Sequence, residues 1–189
     1  MQVLPDSTRR IRTDHTERRG SATAERLRKA ARLDSYFYSS VAENPARTRE
    51  AVLVAGVAAL IMGLGLMLMR IISPLWWLLG ALAWAAVLLF GGAWLLVVMG
   101  RRFGGHAEYL QMVRPLGYAM APQALGFVPI ADFIPGFVVG GLWSIACVVV
   151  AVREAHGIPT RLAAALVIAP ILVVIAFVPL VGVMLAGGG

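Results

Sequence analysis

The chain has 189 residues, 59% of them hydrophobic, a formal net charge of +7 and a mean hydropathy of +0.79. That composition is too apolar for a water-soluble globule and points to one all-α domain whose solvent is a bilayer. Nine of the seventeen basic residues fall within the first 33 positions, so the charge is a terminal tail beside apolar segments, which speaks against nucleic-acid binding.

Residues 1–32 are Arg-rich and poor in large apolar groups, and so read as a basic, largely disordered cytoplasmic tail, although helix formers dominate from Ala22 to Leu33. The stretch "STRRIR" resembles a twin-arginine export signal, but no apolar region follows until residue 51, and the N-terminus is expected to be retained. Residues 33–43 carry Tyr36, Phe37 and Val41 at near-helical spacing. They predict a short amphipathic helix in the headgroup plane, with Tyr36 and Phe37 as interface anchors and the basic tail drawn to anionic lipids; the alternative is a helix packed on the protein's own loops.

Residues 44–189 form the membrane domain, because five runs lack any Asp, Glu, Lys or Arg: 51–69, 71–100, 115–131, 133–152 and 162–189. A hydrocarbon core about 30 Å thick needs about 20 helical residues, so the expectation is five transmembrane helices at about 46–69, 74–100, 113–131, 135–155 and 161–186. Asn44 is placed to cap the first, with Pro45 at its first position. Ser73 and Pro74 repeat that pattern, so spans one and two are expected as a tight hairpin. Trp76 and Trp94 stand about 27 Å apart along span two, as an anchor at each interface. Gly91 and Gly92 are expected to admit a closely packed neighbour or to allow a bend, with close packing the favoured role.

The third run is unusual, since "PLGYAMAPQALGFVPIADFIP" carries Pro115, Pro122, Pro129 and Pro135. The first three are spaced by seven, which puts them in one stripe of a helix, shielded by neighbouring helices or a wet cavity. If this run crosses, Arg101, Arg102, Arg114, Arg153 and Arg161 share the side of the basic N-terminus; if it dips, the loop with Arg153 and Arg161 moves outside. The positive-inside rule favours crossing. The N-terminus is then cytoplasmic and the C-terminus opposite, in a multi-pass cell-membrane protein.

In span four Gly136 and Gly140 form a small-residue helix-packing face, and the single cysteine, Cys147, reads as a packing residue. Gly157 and Pro159 mark its end, Thr160 is placed to cap span five, and Pro170 and Pro179 to bend it.

Three stretches resemble the Yip1 domain family of five-span membrane proteins. They are "LDSYFYSSVAENPARTREAV", "RRFGGHAEYLQMVRPLGYAMAP" and "LWSIACVVVAVREAHGIPTRLAAAL". In layout the resemblance runs from about residue 33 to 185 and is to prokaryotic-type members. It implies a Yip1-like integral membrane protein with a cytoplasmic N-terminus, and it makes Gly117, Tyr118, Gly157 and the adjacent His156 family-typical, with Pro122 at the end of the "GYA..P" passage. Eukaryotic relatives are linked to vesicle traffic, Rab GTPases and membrane shaping. The "DLYGP" motif of that branch does not occur here, which undercuts a Rab-related role.

The polar residues suggest one chemical constellation: His106 and Glu108 in "HAE", with Glu154 and His156 in "EAH", would supply two imidazoles and two carboxylates to a divalent metal. Residues two apart on a helix diverge, so the favoured reading has these groups finishing helices and pairing arginines, with no metal and no cofactor. There is no phosphate loop, no HExxH and no serine triad, so no enzyme is expected. The expected function is a non-enzymatic scaffold, membrane-organising protein or accessory subunit, partnered by the bilayer, by anionic lipids and by a membrane protein or a second copy. A small transporter using the proline-broken third span is the alternative.

Overall fold

The computed structural model describes residues 22–68, 74–127, 129–130 and 134–186. Residues 1–21, Arg70, Ser73, Asp132 and the final glycines lie outside these, and with them most of the expected tail and the tight turn at Ser73. Apart from one two-residue antiparallel pairing, Pro129–Ile130 with Ile134–Pro135, the described elements are helical.

Helix α1 (22–31) turns at Leu33, whose φ is 59°, into α2 (Ser35–Glu43), where the Asp34 carboxylate accepts the amide of Phe37 at 3.2 Å. The final carbonyls of a helix lack internal partners, and here side chains supply them. Ala30 O receives the Tyr38 hydroxyl at 3.1 Å and the Cys147 thiol at 3.6 Å, and Ala31 O receives the Trp143 indole at 2.9 Å. Residues 22–31 are therefore a docked helix, correcting the expectation of disorder there. Phe37 is corrected too: Tyr36 is 83% exposed but Phe37 only 6%, edge-on to Tyr38 and Tyr118. One helix face cannot serve both core and interface, and burial took Phe37.

The Asn44 side chain caps the turn Pro45–Arg47 by accepting from Ala46 N at 3.0 Å, and α3 (Thr48–Leu68) follows. Helix α4 (Pro74–Ala86) passes through a π-helical turn, Val87–Gly91, into α5 (Gly92–Arg102). Of the two roles expected for Gly91 and Gly92, this favours the irregularity over close packing. A Cβ on Gly91 would meet nothing within 4 Å and one on Gly92 only Leu116 at 3.9 Å, so the pair accompanies a helix irregularity and not a close approach.

The third apolar run is not one helix. Helix α6 (Tyr109–Ala119) contains Pro115, and a 3₁₀ run, Ala121–Phe127, takes over at Pro122, which has no N–H for the carbonyl of Tyr118. The expected proline stripe dissolves: Pro115 lies in α6, Pro122 in the 3₁₀ run and Pro129 in the strand pairing. The chain from Ala107 through α6 to Pro122 nevertheless travels far. Ala107 lies against His156 at the end of α7 (Gly136–His156), and Pro122 against Gly140 near its start. At 1.5 Å per residue those points on α7 are about 24 Å apart.

Helix α7 closes with Gly157 at φ +66°, and Ile158 N returning to Arg153 O at 3.3 Å. Helix α8 (Thr160–Ala186) runs on through Pro170; Thr160 is its first residue and accepts from Arg153 NH1 at 3.3 Å, not a cap. Three helical segments are long and apolar enough to cross a membrane, 45–65, 78–102 and 138–156, among the described residues. Two cores form. One joins α3 to α8 through Leu89, Met112 and Val152, and the other seats α1 and α2 on Tyr118, Ala119, Cys147 and Ala151.

Candidate functional site

The ionisable side chains of the described residues gather where α3, α6 and α8 begin and α5 and α7 end. At its centre is Glu50, in the first turn of α3. Its carboxylate accepts from Arg26 NH1 at 2.7 and 2.8 Å, from Arg47 NH1 at 2.9 Å and from the Thr23 hydroxyl at 3.3 Å. The Tyr118 hydroxyl, fully buried, stands within range of Glu50 without a well-aligned hydrogen bond. The helix N-terminus favours a carboxylate here, so Glu50 pins α1 to the bundle.

Arg114 is 6% exposed; its Nε donates to Thr48 Oγ1 at 2.9 Å and its NH1 to Ala42 O at 2.6 Å. Expected as a loop cation, it ties α6 to the end of α2 and the start of α3. Burial also pushes the Tyr38 hydroxyl well above its ordinary range, aided by Cys147, so it remains a donor to Ala30 O.

The third piece is a slot for His156. Its Nδ1 accepts from Ala107 N at 3.4 Å. A Cβ on Gly100 would lie 2.5 Å from the ring and one on Gly105 2.3 Å, so only glycine lets α5 and its following turn close over the imidazole. An accepting Nδ1 leaves the proton on Nε2, which is buried near the Leu96 carbonyl without an aligned partner.

The metal constellation does not come together. His106 is exposed, Glu108 exchanges capping bonds with Gln111, Glu154 pairs with Arg153 at 2.6 Å, and His156 is in its slot. No group of three metal-capable side chains occurs among the described residues. Arg153 also donates to Ser35 Oγ, linking α7 to α2.

The packing residues are placed as follows. A Cβ on Gly117 would sit 2.5 Å from Ala51 O, and one on Gly140 2.5 Å from Pro122 O, so α6 and the 3₁₀ run press backbone-close on α3 and α7. Gly136 is buried, while Trp76 and Trp94 are 70% and 61% exposed. Sequence reasoning passed over Glu50, Arg26, Arg114, Gly100 and Gly105 as site residues. The "GG" and "HG" pairs hinted at the slot, but nothing local joins them.

Residues 35–182 match the family model of the Yip1 domain. No curated protein and no solved structure matches the chain.

Proposed function

The chain belongs to the Yip1 domain family, and from that premise we propose that it is a non-enzymatic, multi-pass protein of the cell membrane that acts as a scaffold, membrane organiser or accessory subunit. The observation that carries this reading is the platform at the charged end of the bundle, where α1 and α2 are held by Glu50, Arg114, Arg153 and Tyr38. Docking of a basic helix, α1, together with the uncharged aromatic face of α2 suits recognition of another surface. The platform leaves Arg28, Lys29, Arg32 and Tyr36 exposed, a basic, aromatic-tipped face suited to anionic lipids or to an acidic segment of a partner.

Five crossings fit best, since the segment from Ala107 through α6 to Pro122 carries the chain from the His156 end of α7 to the Gly140 end. The charged end then faces the cytoplasm and the C-terminus lies on the opposite side. The transporter alternative is weaker: the irregular third segment packs Pro122 onto Gly140, and Glu50, Arg114 and Arg153 are engaged in tying elements together.

The test is mild extraction, identification of co-purifying proteins and lipids, and repetition with Arg28, Lys29 and Arg32 reversed to Glu. The reading expects bound partners that the reversal releases while the fold persists. A protein that purifies alone and drives solute flux in reconstituted vesicles overturns it in favour of transport.

A further inference from the structure

Beside α3 runs an apolar groove of about 350 Å³, walled by Leu27 of α1, by Leu53, Val57 and Ile61 of α3, and by Ala121 and Ala124 of the 3₁₀ run. It lies beside the 3₁₀ run that follows the end of α6 at Ala119, which lines it with the methyl groups of Ala121 and Ala124. From Leu53 to Ile61 it extends about 12 Å along α3, and Leu53 and Val57 are exposed at its edge.

The groove is capped at one end by the Glu50 cluster, with Thr23 and Glu50 themselves in its wall. Both bonds of Arg26 to Glu50 and that of Arg47 use NH1, so the Nε and NH2 donors of each guanidinium have no acceptor among the described residues. Two guanidiniums face one carboxylate, and a single phosphodiester would close the cluster to neutrality with charge-assisted hydrogen bonds. We propose that the groove binds one acyl chain of an anionic phospholipid whose phosphate sits on Arg26 and Arg47. The inference rests on the reading that this end of the bundle lies at the headgroup level. It differs from diffuse attraction to the basic face in being a saturable site with a defined chain position.

The experiment uses the full chain in phosphatidylcholine nanodiscs carrying a trace of phosphatidylglycerol with a photoactivatable diazirine on one acyl chain, with crosslinks mapped by mass spectrometry. Labelling is expected to concentrate on Leu53, Val57, Ile61 and Ala124. Unlabelled phosphatidylglycerol should compete and added phosphatidylcholine should not. Replacing Arg26 and Arg47 with Gln removes two headgroup cations and should lower site labelling about tenfold or more. Val57→Trp, made at an exposed position where folding is spared, should block the chain and lower it comparably with the arginines intact. Equal labelling of outward residues such as Leu79 and Val173, or equal competition by phosphatidylcholine, reduces the groove to ordinary lipid contact and overturns the proposal. A diazirine on the headgroup separates the two levels. Headgroup labelling of 22–43 without chain labelling of the groove defeats the groove alone, whereas loss of both defeats the underlying placement of α1 and α2.

Discussion

The Nδ1 atom of His156 accepts the amide hydrogen of Ala107, 49 residues earlier in the chain, at 3.4 Å, beneath a lid formed by Gly100 and Gly105. Gly105 lies outside the left-handed region, so a methyl group there offends by collision alone, chiefly with the ring at 2.3 Å and more mildly with the Gly100 carbonyl oxygen at 3.0 Å. Gly105→Ala should cost about 1–3 kcal/mol by overpacking. His156→Ala removes the nearer obstacle and leaves only the Gly100 carbonyl, so the double variant should be less destabilised than the sum of the singles. Chemical unfolding in detergent, followed by tryptophan fluorescence, measures the cycle; strict additivity would show that the slot is not what Gly105 is for.

Gly117 and Gly91 make a contrasting pair. At Gly117 an added Cβ would meet the backbone of Ala51 at 2.5 Å, which α3 cannot yield without moving. At Gly91 it would meet open space. Gly117→Ala should therefore lose at least about 1–3 kcal/mol, while Gly91→Ala should be neutral or gain about 0.5–1 kcal/mol from the reduced entropy of the unfolded chain. The same unfolding assay compares them, and equal behaviour would remove the case for backbone contact between α6 and α3.

Arg114 offers two charge-assisted bonds to Ala42 O and Thr48 Oγ1. Arg114→Ala leaves a buried carbonyl without its donor and should cost about 1.5–3 kcal/mol. Lys cannot reproduce the forked geometry and should recover only part of this. Limited proteolysis should accelerate between α2 and α3, around Asn44, in proportion to the loss. Unchanged cleavage in both variants would mean that α2 is held by packing alone.

Tyr38→Phe deletes the hydroxyl that reaches Ala30 O and should cost about 1 kcal/mol. Because burial raises the folded value of this phenol above the unfolded one, its contribution is complete below the ordinary tyrosine value of about 10 and declines as pH rises beyond it. Wild type should therefore lose more stability than Tyr38→Phe on moving from neutral to strongly alkaline buffer. Parallel loss in the two proteins would contradict the burial of that hydroxyl.

Truncation distinguishes tail from platform. Removing residues 1–43 strips α1 and α2 from Tyr118, Cys147 and Ala151, so it should destabilise the bundle. Reversing Arg28, Lys29 and Arg32 should cost little thermal stability, since the ion pair it breaks, Lys29 with Glu25, is exposed, and should weaken binding to anionic vesicles, more so at low salt than at high. Vesicle flotation at two ionic strengths measures this.

The sequence by itself determined the helical, membrane-embedded class, the family and several helix ends. Runs without charge, Asn44 before Pro45, and Gly157 before Pro159 act within a few residues of themselves, so no fold is needed to read them. The tertiary structure decided how the third run is broken, where α1 docks and what surrounds His156. Those features depend on pairs separated by 49 residues for Ala107 and His156, 72 for Ala42 and Arg114, and 112 for Ala31 and Trp143. Periodicity reports which face of a helix is apolar, but the partner that covers the face is chosen by packing. That is why Phe37, read from its own neighbours as an interface anchor, lies instead against Tyr118.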